Sequence, residues 1–133
     1  MKILIAVGLF SGFEKSVASG YWRPSGAPTI YKLLESLDRS SHQTDIILLG
    51  REEGRHYIAK RDEIVRLPPL SRPVTVVAGA AWFPACLGQL RFYLGTLRKL
   101  IWLWRRIRNT SPQLVYMDRG NVIVAGLLAR LTN

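Results

Sequence analysis

Four short aliphatic runs constrain this chain most: Lys2 to Gly8 (KILIAVG), Asp45 to Gly50 (DIILLG), Val74 to Ala78 (VTVVA) and the start of Leu114 to Asn121 (LVYMDRGN). Runs that are apolar at consecutive positions suit strands covered on both faces, as in parallel sheets; one-sided antiparallel strands alternate instead. Helical spacing appears between them. Ile30, Leu33, Leu34 and Leu37 follow Pro28, and proline is tolerated in a first helical turn because its missing donor would have had no partner there. A longer pattern runs from Leu87 to about Arg108, and Val122 to Leu131 is an apolar helix. The order β-α-β-β-α-β-α predicts an α/β fold: a Rossmann-like open parallel sheet of about four strands with helices on both faces. In the strand order 3-2-1-4 the switch point lies between the first and fourth strands.

The connections supply the candidate chemistry. Gly8 to Gly26 carries four glycines and Pro24 and has the composition of a loop. It leads through Ser25 and Gly26 into the helix beginning near Pro28, so backbone N–H groups at a positive dipole end form a candidate anion site. The other reading of Gly26 is a tight turn that needs positive φ. Ile64 to Leu70 cannot be a central strand, because Pro68 and Pro69 lack the donors a ladder requires. The fourth strand stops abruptly on Asp118, Arg119, Gly120 and Asn121, which places polar groups at its carboxyl end, where open α/β sheets keep their ligands. There Asp118 can accept from a substrate hydroxyl or act as a general base, with Arg119 or Asn121 orienting the group; equally, it can cap the following helix or pair with Arg119. Trp22 and Arg23 can stack on a sugar and hold an anionic acceptor, or Trp22 can tuck over the core edge and Arg23 stay solvated.

Charge narrows the partners. Lys and Arg number 19 against 9 Asp and Glu, a net charge of +10, which favours phosphate-bearing partners such as nucleic acid, anionic lipid or a nucleotide. On a helical wheel Leu90, Leu94, Leu97, Ile101 and Trp104 gather on one side, taken as the core side. Arg91, Arg98, Lys99, Trp102, Arg105 and Arg106 gather on the other, a basic face with an aromatic that suits an anionic membrane surface. The alternatives are a solvated face or one covered by another lobe.

Several classes are set aside. Cys86 is the single cysteine, and neither His42 nor His56 has a partner at metal-ligand spacing, so no metal and no cofactor is expected. Ile3 to Val7 is too short for a secretory signal core, and no run approaches the roughly 18 apolar residues of a membrane span. Nothing marks a helix-turn-helix, RRM or KH module, so a nucleic-acid-binding role rests on charge alone and no nucleic-acid partner is expected.

Three stretches, KILIAVG with its glycine-bearing loop, SGAPTIYKLLESLD, and SPQLVYMDRGNVIVAGLLARL, together resemble the amino-terminal lobe of family-4 glycosyltransferases of the GT-B type. Pro112, Leu114, Val115 and Tyr116 fit that family's fourth-strand frame, and AGLLARL fits the helix after it. Tyr116 and Asp118 stand where the family often has histidines, and Ser25 and Gly26 where it has paired glycines. The family's E-x7-E pattern, carried on a donor-gripping second lobe, has no counterpart here. The resemblance implies that residues 1–133 are one lobe, the acceptor-binding portion of a larger enzyme and inactive alone. Its implied partners are a nucleotide-sugar donor held by a second-lobe polypeptide and a glycan or lipid-linked acceptor of cell-envelope polysaccharide synthesis. Its implied place is the inner face of the cytoplasmic membrane. A nucleotide-binding Rossmann domain of another enzyme is the competing expectation, and it requires tight nucleotide binding by this chain alone.

Overall fold

The computed structural model describes residues 1–26, 28–51, 54–118 and 121–132. Its strands are β1 (Lys2–Gly8), β2 (Gln43–Leu49), β3 (Glu63–Val65), β4 (Val74–Val77) and β5 (Leu114–Met117). They form one sheet in the order β3-β4-β2-β1-β5. β1 pairs in parallel with β2 and with β5, and β2 in parallel with β4; only β3 runs antiparallel. The four aliphatic runs thus take the expected 3-2-1-4 order. The fifth strand is the addition: three residues that end before Pro68 and pair with β4 alone, at a sheet edge where a neighbouring proline costs the ladder nothing.

The helices are α1 (Ser11–Ser19), α2 (Pro28–Asp38), α3 (Leu90–Thr110) and α4 (Val122–Thr132). Along β1, Ile3, Ile5 and Val7 face a cluster containing Phe13 and Val17 of α1 and Leu34 of α2. Leu4 and Ala6 face Leu100 and Leu103 of α3 and Val124 and Leu128 of α4. Successive strand side chains point to opposite faces, so an all-apolar strand needs a cover on each, and here two helices supply each cover. Each fully buried aliphatic side chain contributes about 1.5–3 kcal/mol, and Ile5, Ile46, Ile47 and Leu48 have no exposure at all. The fold is therefore α/β and Rossmann-like, with a mostly parallel open sheet.

Two expectations require correction. Residues 8–26 are not a continuous loop, since α1 occupies their middle. Phe13 and Val17, four apart, pack on the sheet, and Gly20 closes the helix at φ 67° with its N–H on the Ser16 and Val17 carbonyls. Tertiary burial outweighs the loop-like composition. The second correction concerns α3, which turns inward the face bearing Gly95, Lys99, Leu100 and Leu103. Leu90, Leu97 and Ile101, read as core residues, are 53%, 51% and 41% exposed. Close approach explains the choice. A Cβ at Gly95 would stand 2.5 Å from the Ala80 nitrogen, so only the glycine side of α3 fits against the turn after β4.

Candidate functional site

The carboxyl ends of β1 and the edge strand β5 lie side by side, because Ala6 is in register with Met117. One residue past β5, Asp118 reaches across to β1. Its Oδ2 accepts the Gly8 N–H at 2.9 Å, and its Oδ1 accepts from Asn121 Nδ2 at 2.5 Å. The Asn121 N–H donates to the Asp118 carbonyl at 3.1 Å, and Asn121 is 7% exposed. A Cβ at Gly8 would sit 3.3 Å from Asp118 Oδ2, so the bare glycine leaves room for the carboxylate to reach the backbone. Both carboxylate oxygens thus have a protein donor, while each retains a lone pair for a further hydroxyl. Arg119 and Gly120, on which the pairing of Asp118 with Arg119 and part of the proposed orienting role fall, lie outside the described residues.

Ser25 and Gly26, which lead into α2, lie near the residues that follow β1. Gly26 has φ 91°, in the left-handed region that glycine alone adopts freely. A Cβ there would stand 3.7 Å from the Phe10 ring, and one at Gly12 would stand 1.7 Å from the Ser25 carbonyl oxygen. The Phe10 N–H in turn donates to the Gly8 carbonyl at 2.9 Å. Residues 8–10 are therefore a common floor, touching Asp118 through Gly8 and the exposed Ser25–Gly26 bend through Phe10. Phe10 escaped the sequence reading; its only signal is the Phe10–Phe13 spacing, now a tilted ring pair with centroids 4.4 Å apart.

The remaining candidates fall elsewhere. Trp22 is 5% exposed, stacks on Phe13 at 5.3 Å and donates from Nε1 to Glu35 Oε1 at 2.8 Å. This leaves no open ring face for a sugar, so its stacking role is withdrawn and its place over the core edge holds. Arg23 is exposed, with its guanidinium 5.1 Å from the Tyr21 ring centre. Along α3, Arg98 bridges Asp62 Oδ2 at 2.6 Å and the Ala78 carbonyl at 2.7 Å, with Trp82 stacked 4.0 Å away. Lys99 is 7% exposed and donates to the Gly50 carbonyl at 3.2 Å, which removes it from any membrane contact. Arg106 meets Asp45 at 2.7 Å. That hydrogen bond holds the Arg106 guanidinium above its ordinary range, with burial opposing and the Asp45 charge assisting. A base raised in this way keeps the pairing below its unfolded pKa and loses it only as pH rises through the higher folded value, so Arg106 stays charged across physiological pH. Trp102 packs against the inner cluster. Arg105 is exposed, and Arg91 is half-buried with its guanidinium 5.2 Å from the Phe92 ring centre.

Among the described residues no cluster of three His, Cys, Asp or Glu side chains could hold a metal ion, and no helix is long and apolar enough to cross a membrane. Fold and site together define a Rossmann-like α/β fold with a carboxylate, Asp118, fixed where the carboxyl ends of β1 and β5 meet. Compared with protein-family models, curated proteins and solved structures, the chain matches none.

Proposed function

We propose that this chain is the acceptor-side lobe of a GT-B glycosyltransferase, which moves a sugar from a nucleotide-sugar to a glycan or lipid-linked acceptor at the cytoplasmic face of a membrane. One observation carries the reading: a carboxylate at the carboxyl end of β5 is pinned to the end of β1, beside an exposed glycine bend, at the switch point of a parallel sheet. Glycosyl transfer needs an acceptor hydroxyl held in line with the donor carbon, and a fixed carboxylate with spare lone pairs suits that task. In this role Asp118 positions the acceptor hydroxyl and takes its proton, Asn121 holds the carboxylate in place, and the Ser25–Gly26 bend receives an acceptor hydroxyl or phosphate. Stabilising the departing diphosphate falls to the donor-binding lobe.

Amide chemical-shift perturbation tests this. A polyprenyl-phosphate-linked sugar acceptor is expected to move the Gly8, Gly26 and Asn121 signals, whereas a nucleotide-sugar alone leaves them in place. Tight nucleotide binding by these residues would favour the nucleotide-binding domain of another enzyme instead. Sugar transfer catalysed by the isolated chain would contradict the assignment to one lobe.

A further inference from the structure

Helix α3 carries a ridge that the core does not use. Leu90, Tyr93, Leu97 and Ile101 recur at helical spacing and are 53%, 74%, 51% and 41% exposed, on the side opposite Gly95, Lys99 and Leu103. Such a continuous exposed apolar stripe calls for a covering partner. Grooves flank it, and Leu97 lines both. One, of about 560 Å³, has Ile101 and Trp102 along it with Arg98, Arg105 and Arg106. The other, of about 660 Å³, lies between α3 and α4 and is walled by Leu100, Ile123 and Leu127 without any charged residue. The helix surface is therefore graded across its width, with cations on one flank and hydrocarbon on the other.

We propose that α3 docks on an anionic lipid surface, with Leu97, Ile101 and Tyr93 entering the acyl region, Arg105 and Arg108 meeting headgroup phosphates, and the α3–α4 groove seating acyl chain. Charge complementarity selects this occupant: the chain carries +10, and the exposed Arg105 and Arg108 border the ridge. Arg98 and Arg106 are already bridged to carboxylates and Lys99 is buried, so the available cations are fewer than the sequence presents. Binding therefore needs the apolar insertion and these few charges together. A nucleic-acid partner would leave the leucine ridge uncovered in water, which disfavours it. The inference stands on the α3 surface and does not depend on the glycosyl-transfer reading.

Co-sedimentation of the whole chain with vesicles tests it, comparing pure phosphatidylcholine with an equimolar phosphatidylcholine–phosphatidylglycerol mixture. Binding is expected with the mixture and not with the neutral vesicles. Leu97→Asp with Ile101→Asp should weaken it at least about ten-fold, and Arg105→Gln or Arg108→Gln about five-fold each. Lys32→Gln, an exposed cation on α2 across the sheet, should sediment as the parent does. These positions are exposed, and an unchanged far-UV spectrum and melting curve verify that the variants fold. Absence of binding to the mixture overturns the proposal. So does full retention by the double aspartate variant, which would mean charge alone acts, or release by millimolar inorganic phosphate, which would mean a small-anion site. A parent that sediments as a dimer, is split by Leu97→Asp and ignores vesicles would assign the ridge to a second copy and also overturn it.

Discussion

Asp118 Oδ2 and the Gly8 N–H, 110 positions apart in sequence, meet at 2.9 Å and lock the end of β5 to the end of β1. A hydrogen bond to a charged acceptor is worth about 1.5–3 kcal/mol when buried. This one is partly buried, so Asp118→Ala should cost about 1–2 kcal/mol, or a few degrees of melting temperature, and Asp118→Asn less, since it keeps an acceptor oxygen. Hydrogen exchange at the Gly8 amide should accelerate in the alanine variant; unchanged protection there would show that the lock is not formed. In an enzyme reconstituted with a donor-binding lobe, Asp118→Asn should lower kcat by more than its stability loss explains.

Two helical glycines should respond in opposite directions. At Gly95 an added Cβ meets Ala80 backbone atoms at 2.5 and 2.8 Å, so α3 must shift, and Gly95→Ala is expected to destabilise by about 1–3 kcal/mol despite its better helix propensity. At Gly126 nothing lies within 4 Å, and Gly126→Ala should stabilise by about 0.5–1 kcal/mol. Thermal melts of the two variants moving in the same direction would contradict this packing.

Glu14, 3% exposed on α1, accepts the Arg55 and His56 N–H groups at 2.9 and 3.0 Å. Glu14→Ala strands two donors and should cost about 2–3 kcal/mol, with faster exchange at those two amides. Glu14→Gln, which keeps one acceptor oxygen, should recover most of it. Equal loss in both variants would mean that the negative charge, not the acceptor geometry, holds the segment.

Trp22 separates a structural from a binding role. Trp22→Ala should cost about 3–5 kcal/mol through the cavity beside Phe13, and Trp22→Phe about 1 kcal/mol through the lost bond to Glu35. Acceptor affinity per folded molecule should stay at the parent value for Trp22→Phe. Calorimetry showing a large affinity loss without a stability loss would return this residue to the binding site.

Sequence alone determined the sheet. KILIAVG, DIILLG and VTVVA are largely apolar at consecutive positions, and strands covered on both faces hide such runs, so their parallel pairing follows from local composition. It also placed Asp118 at a strand's carboxyl end, because the aliphatic run before it stops so sharply. Tertiary structure alone decided the rest. Residues 11–19 become a helix because Phe13 and Val17 find the sheet, a gain invisible in a glycine- and serine-bearing segment. LVYM, as aliphatic as the central strands, lies at the sheet edge, where Leu114 is 49% exposed, since periodicity carries no information about a neighbour on the far side. Helix α3 offered two half-apolar faces, and a wheel cannot rank them. The face with glycine went inward because backbone had to approach backbone there, which turned the leucines out to form the ridge.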